Sequence, residues 1–328
     1  MDKLIAEFPD QISKAIEIGE ASQINQYDKE IKNIVITGLG GSGIGGTIVK
    51  ELIVNEVTIP IEINNKYTIP NYVNENTLVM ASSYSGNTEE TVEAINHAIE
   101  KKAKIVGITS GGKIAEICKS NDLDLILVPS GSRSPRACLG YSVIQQFYIL
   151  YKLGIINKSF KEKFEKAKEL IVGEEQNIKD AAKNIASKIY DKIPIIYASD
   201  TIEGVAVRLR QQINENAKML CWHHVIPEMN HNELVGWRTK NEDFAVLIFR
   251  NKSDYERIQK RIEINKEVFA KYTPHIFELW SKGESEIEKV FYLINLGDWL
   301  SFYLSDLRKM DSIEVKVIDH LKSELAKN

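Results

Sequence analysis

The sequence predicts an α/β protein of two doubly wound domains, each a parallel sheet flanked by helices, on three observations. Short apolar runs alternate with helical stretches along most of the chain, and alternation at that spacing builds a parallel sheet covered on both faces. After a mostly helical interval the same order of elements starts again near residue 193. The length, 328 residues, is long for one core and comfortable for two.

In chain order, residues 1–30 read as mostly helical, with Ile12, Ala15 and Ile16 at helical spacing. Ile34-Val-Ile-Thr, closed by Gly38-Leu-Gly-Gly-Ser-Gly, reads as a buried strand feeding a helix over about 43–55. Ile59-Pro-Ile-Glu-Ile is a second strand and Thr77-Leu-Val-Met-Ala a third, which runs through Ser82-Ser-Tyr-Ser-Gly-Asn-Thr into a helix ending near 101. Ile105-Val-Gly-Ile and Leu125-Ile-Leu-Val are two more strands, with a short helix near 113–119 between them. The stretch 137–190 is helical. Strands then follow at 193–198, 244–249 and 275–279, with helices at 203–219, 253–270, 286–308 and 315–326. The expected division is 1–152 and 153–328.

Composition narrows the partners. A formal net charge of -4 gives no reason to expect nucleic acid or an anionic membrane. Cys118, Cys138 and Cys221 are an odd number without a Cys-x-x-Cys pattern, which reads as free thiols in a reducing compartment. The N-terminus has no apolar stretch of signal-peptide length, and no run reaches the 18–20 apolar residues of a membrane span. The expected location is the cytoplasm.

Two loops carry chemistry that suits an anion. A helix N-terminus leaves backbone N–H groups unpaired and bears partial positive charge. Gly40-Gly-Ser-Gly-Ile-Gly-Gly-Thr and Ser83-Tyr-Ser-Gly-Asn-Thr add close-approach glycines and hydroxyls, and both follow strands. Both should therefore open at the carboxyl edge of one sheet. The first loop also matches the dinucleotide fingerprint at Gly38, Gly40 and Gly43, with Glu62 near the next strand's end. A triphosphate loop is disfavoured, because no Gly-Lys-Ser/Thr closes it. For the second loop, helix capping accounts for one hydroxyl, but not for Ser83, Ser85 and Thr88 together. A monophosphate held between two loops uses all of them.

Taken together, Gly-Gly-Ser-Gly-Ile-Gly-Gly at 40–46 and Ser-Tyr-Ser-Gly-Asn-Thr-Glu-Glu-Thr at 83–91 resemble the sugar isomerase (SIS) domains. Ser134-Pro-Arg-Ala-Cys-Leu-Gly-Tyr, Gln212-Ile-Asn-Glu-Asn-Ala-Lys and Glu228-Met-Asn-His-Asn-Glu extend the resemblance to the bifunctional phosphoglucose/phosphomannose isomerases. That resemblance implies two SIS domains, a homodimer, no metal and no cofactor. It also implies interconversion of glucose 6-phosphate or mannose 6-phosphate with fructose 6-phosphate through a cis-enediol.

Residue by residue, the resemblance makes Gly41, Ser42, Ser83, Ser85 and Thr88 the phosphate contacts. Arg136 falls beside the reacting carbons, Glu215 is the base, and His231, given by the partner subunit, opens the ring. Lys322 matches the lysine near the ring oxygen, with Lys316 and Lys327 as neighbouring alternatives. The family's Pro-Thr pair upstream of that lysine is replaced here by Met310-Asp-Ser-Ile-Glu, a departure that bears on the mannose epimer.

The chemistry asks for such groups: a carboxylate over C1 and C2, a cation near the enediolate, and a ring-opening acid or base. On the helix over 203–219, Val205, Leu209, Ile213 and Leu220 form the apolar stripe, which sets Glu215 off the core face. That position fits a base in a cleft and fits a solvated helix face equally. His231 lacks a second metal ligand at suitable spacing, and the adjacent pair His223-His224 is a poor ion site. Two other readings stay open: a dehydrogenase on the glycine fingerprint, and a sugar-phosphate-sensing regulator, against which no basic DNA-binding segment is appended.

Overall fold

The computed structural model describes residues 1–327. Helices α1 (Asp2–Ala6) and α2 (Phe8–Ala21) lead into a five-stranded sheet: β1 (Asn33–Thr37), β2 (Ile61–Asn64), β3 (Thr77–Ser82), β4 (Lys104–Thr109) and β5 (Asp124–Leu127). Its order is β2-β1-β3-β4-β5, with every pairing parallel. Helices α3 (Gly40–Ile53), α4 (Glu89–Glu100) and α5 (Gly112–Ser120) connect these strands. Strands β1 and β3 bury four and six residues in succession, as strands covered on both faces must.

Helices α6 (Leu139–Lys152), α7 (Phe160–Gly173) and α8 (Glu175–Ile189) occupy the helical interval. The second sheet holds β6 (Ile193–Ser199), β7 (Trp222–Ile226), β8 (Phe244–Arg250) and β9 (Ile276–Trp280), in the parallel order β7-β6-β8-β9. Helices α9 (Glu203–Gln212), α10 (Glu256–Phe269), α11 (Glu286–Leu307) and α12 (Lys316–Leu325) complete the chain. One apolar core runs through both halves, from Ile12 and Ile48 to Phe164, Leu209 and Phe291. A second core, with Tyr197, Met229, Ile262 and Phe269, fills the other face of the second sheet. Among the described residues no helix is long and apolar enough to cross a membrane.

Two sequence expectations are corrected. Strand β7 is absent from the sequence reading, because Trp222-His-His-Val-Ile has no apolar run and lies half-buried at a sheet edge. Being in a strand, His223 and His224 point to opposite faces, so they do not share an ion. The helix expected over 203–219 keeps its α form only to Gln212 and continues as a π turn, Ile213–Ala217. Lys218 ends it in the left-handed conformation (φ 54°). Leu220, expected on the apolar stripe, is therefore past the helix and 88% exposed.

The two halves meet where α3 lies against α9. Gly204 permits that approach: a Cβ there would sit 2.8 Å from Ile48 Cγ1 and 3.0 Å from Glu51 Oε2. The Gly204 N–H donates to both Glu51 carboxylate oxygens at 2.8 and 3.1 Å, so Glu51 caps α9 from the other half. Burial pushes the Glu51 carboxyl up to about 8, against the Gly204 bond that holds it down.

That shift fixes the sign of a pH effect. The folded protein keeps this proton up to about pH 8, while an unfolded chain releases it near 4.5. Stability should therefore fall as pH rises through that window. Glu51→Gln keeps an acceptor for Gly204 and removes the titration. Its denaturation midpoint should decline less steeply than that of the parent protein across the window, and parallel slopes would contradict this account.

Candidate active site

In a sheet ordered β2-β1-β3-β4-β5 the connection reverses direction at β1 and β3, and ligands bind outside the carboxyl ends at such a switch point. The glycine-rich segment after β1, which the sequence reads as a loop before a helix from about 43 but which already forms the first turns of α3 from Gly40, and the hydroxyl loop after β3 stand on either side of it. They are pressed together: a Cβ on Gly38 would lie 2.6 Å from the Ser82 carbonyl. Gly41, Ser42, Ser82, Tyr84 and Pro135 line a small void there, of about 10 Å³.

Neither α3 nor α4 is capped by a side chain, although Thr88 occupies the N-cap of α4. The hydroxyls bond to each other instead, Ser83 Oγ to Thr88 Oγ1 at 2.8 Å. That pair consumes one O–H and leaves the other free to donate. The Gly86 N–H also donates to Ser83 Oγ, at 3.2 Å. Gly86 itself is required by its φ of 69° and by the Gly111 carbonyl, only 1.8 Å from where a Cβ would be. Ser83 is buried and Ser85 exposed; the Ser85 hydroxyl accepts from the Asn87 N–H at 3.3 Å.

Helices α3 and α9 run antiparallel. The end of α3, at Ile48 and Glu51, meets the start of α9 at Gly204. The start of α3 consequently lies toward the end of α9, where Glu215 sits. Arg136 fills the space between: its Cα is 3.4 Å from a Cβ built on Gly41, and its Nη1 is 3.4 Å from Glu215 Oε2. The two motifs, 79 positions apart in sequence (215 less 136), thus converge at the carboxyl edge of the first sheet.

The polar face of α9 that leads toward Glu215 is buried, while the Glu215 side chain, on the π turn past it, is part-exposed. Arg208 and Gln212 are almost wholly enclosed and both bond Asp298 of α11, at 2.6 and 3.1 Å. Arg208 also donates to the Arg136 carbonyl at 3.2 Å. Burial pulls the Arg136 guanidinium below its ordinary pKa, and the Glu215 carboxylate opposes that. The group nevertheless stays charged in the neutral range.

Several contributors were not singled out in the sequence. Asn216 accepts from Arg136 Nε at 2.9 Å. Lys218 Nζ donates to the carbonyls of Glu215, Asp311 and Glu314 at 2.6, 2.7 and 2.8 Å. Both lie within the segment 212–218, which was noticed for Glu215 alone. The partners of this cluster on α11 and in 311–314 are about 80–100 positions away along the chain, beyond the reach of any local pattern.

His231 and Lys322 are not brought to this cluster within one chain. His231 is exposed, two residues past Met229 in the core on the far face of the second sheet, whereas α9 packs on the near face. Lys322 is exposed on α12, a helix with no buried residue, and forms no ion pair among the described residues. Lys327 pairs with Glu324 and Lys316 stands at the start of the same helix.

Two parallel sheets flanked by helices, with glycine- and hydroxyl-rich segments at the switch point of the first, are the architecture of SIS domains. The SIS domain family matches residues 29–135, and the bacterial phospho-glucose isomerase C-terminal SIS domain matches 178–325. The bifunctional phosphoglucose/phosphomannose isomerase of Caldicellulosiruptor bescii is 39% identical over 339 aligned positions, covering 99% of each chain. The chain belongs to the bifunctional phosphoglucose/phosphomannose isomerase family. The D-glucosamine-6-phosphate 4-epimerase of Sulfolobus acidocaldarius is 33% identical, covering 69% of this chain and 71% of its own. In fold, the C-terminal domain of glucosamine-fructose-6-phosphate aminotransferase from Francisella tularensis superposes with a TM-score of 0.76 at 16% identity, covering 94% of this chain and 96% of that one.

The hydroxyl pair yields a direct expectation. Removing one donor to a charged ligand costs enough to weaken binding about tenfold or more. Thr88→Ala and Ser83→Ala should each weaken the binding of inorganic phosphate, followed by calorimetry, to that extent. Affinity equal to the parent's in both variants would take the hydroxyl pair out of the anion site.

Proposed function

We propose that this isomerase interconverts glucose 6-phosphate, and mannose 6-phosphate, with fructose 6-phosphate by a proton transfer between C1 and C2. In this reading Gly41, Ser42, Ser83, Ser85 and Thr88 hold the phosphate. Glu215 removes the C2 proton of the open-chain aldose. The electrons form the C1–C2 double bond and pass to the C1 oxygen, giving an enediolate that faces Arg136. Glu215 then returns the proton to C1 while the C2 hydroxyl proton passes to the C1 oxygen, which leaves a C1 hydroxyl and a C2 ketone. The step balances without an oxidant or a metal.

The observation that carries this reading is the approach of Glu215 to Arg136, at 3.4 Å, beside the start of α3. It sets a carboxylate fit to act as a base and a cation side by side near the start of α3. Family membership over the whole length supports the same conclusion, while the dehydrogenase and sensing readings have no comparable support. The division at 152/153 assigns the phosphate loops to the first domain and Glu215 to the second, and each sheet lies wholly on its own side of it.

A homodimer supplies the remaining group in this proposal. His231 lies beyond the second sheet from Glu215 in its own chain, so ring opening by His231 falls to the partner subunit. Lys322, on a helix without buried contacts, takes its place near the ring oxygen only once that helix is docked.

Purified protein should convert fructose 6-phosphate to glucose 6-phosphate in the presence of a chelator, with separate detection of the mannose product. Glu215→Gln should abolish turnover and leave sugar-phosphate binding largely intact; full turnover in that variant would remove Glu215 from the mechanism. Donation of His231 across the interface has its own test. Mixing inactive Glu215→Gln with inactive His231→Ala chains, after dissociation and reassociation, should restore activity through sites with both residues native. Failure to complement in verified mixed dimers would contradict donation.

A further inference from the structure

Arg136 has five N–H donors, and their partners determine what it can offer. Nε–H donates to Asn216 Oδ1 at 2.9 Å. Nη2 donates to the carbonyls of Ser312 and Ile313, at 2.5 and 3.4 Å. Only Nη1 is without a protein hydrogen bond among the described residues, and it is the nitrogen that faces Glu215 at 3.4 Å. Turning the guanidinium plane would exchange the roles of these nitrogens, so whatever fixes Nε fixes the direction of the free donors.

Asn216 is itself fixed. Its side chain is fully buried, and its Nδ2 donates to Ser301 Oγ at 2.9 Å. Ser301 cannot give that position a proton, because its own O–H donates to the Asp298 carbonyl at 2.7 Å. The amide thus has one satisfactory orientation, oxygen toward Arg136 and nitrogen toward α11. In an α-helix, neighbouring positions such as 215 and 216 do not share a face. Here both reach the same guanidinium from the π turn Ile213–Ala217, and such turns recur at functional sites.

We propose that Asn216 is a positioning residue, which with Ser301 locks the Arg136 guanidinium so that Nη1 alone is presented to the reacting carbons and Glu215. The catalytic part of this proposal rests on the isomerase reading; the locking itself does not. The charged groups around the guanidinium are Glu215, Lys218, Arg208, Asp298 and Asp311.

Two readouts on the full chain separate the two. The first is hydrogen exchange at Arg136 Nε, followed by 15N NMR without any ligand. Exchange should be slow in the parent protein and about tenfold or more faster in Asn216→Ala; equal rates would overturn the locking. The second is fructose 6-phosphate turnover. In Asn216→Ala, kcat should fall about 100-fold while KM moves less than about threefold, as misdirection of one group requires. A raised KM at unchanged kcat would overturn the positioning role. Asn216→Asp sets a second carboxylate beside Glu215 and should move the acid limb of the kcat profile to higher pH; an unmoved limb would contradict the proposal. Should Asn216→Ala fail to fold, Ser301→Ala leaves every Arg136 bond in place but frees the amide to turn, and kcat should drop about tenfold. No turnover in the parent protein, with exchange at Nε still slow, would sink the isomerase reading and leave the locking standing.

Discussion

The site depends on one packing contact: α3 lying antiparallel on α9 across the boundary between the two sheets. At one end, Gly204 admits Ile48 and Glu51, and Glu51 caps α9. At the other, the start of α3 rests against Arg136, which in turn reaches Glu215. Antiparallel packing converts a loop at the start of one helix and a carboxylate past the end of another into neighbours. A ligand anchored by its phosphate at the first would extend toward the second. The shared apolar core, continuous from α2 to α11, keeps the two helices from sliding.

Much of the fold was legible because its signals are local. Buried parallel strands are apolar runs, and helices after them begin in glycine and hydroxyl residues, so eight of the nine strands among the described residues, and the glycine- and hydroxyl-rich segments, could be read from contiguous residues. Strand β7 escaped because Trp222-His-His-Val-Ile carries no such run. The face of α9 was ambiguous because periodicity marks the apolar stripe at Val205, Leu209 and Ile213 but is silent about a buried polar face. Arg208 and Gln212 look like solvated residues until Asp298, about 90 positions away in sequence, is set against them. Glu215 and Arg136 became legible only through a family resemblance, and Asn216 and Lys218 not at all, since their roles are defined by partners on α11 and in 311–314.

The polar cluster is costly to build. Two cations, Arg136 and Arg208, and the carboxylate of Asp298 share one interior region, with the part-exposed Glu215 at its edge. Burying such pairs adds little net stability, whereas removing a single member costs about 3–5 kcal/mol. Most of the members are bonded to neighbours: Arg208 and Gln212 to Asp298, Asn216 to Ser301, Nε and Nη2 of Arg136 to fixed acceptors, whereas the buried Arg208 Nε has no partner among the described residues. Nη1 of Arg136 faces Glu215 at 3.4 Å and has no hydrogen bond among the described residues. The open Nη1 face of a buried cation suits a ligand that carries developing negative charge.

The most direct measurement is a crystal structure with a five-carbon aldonate phosphate, whose carboxylate imitates the enediolate. Such mimics bind through the groups that stabilise the transition state. The account predicts its phosphate between Ser42 and the Ser83–Thr88 pair, and its carboxylate on Arg136 Nη1 within reach of Glu215. A phosphate bound at the loops of the second sheet, or a carboxylate turned away from Arg136, would contradict it.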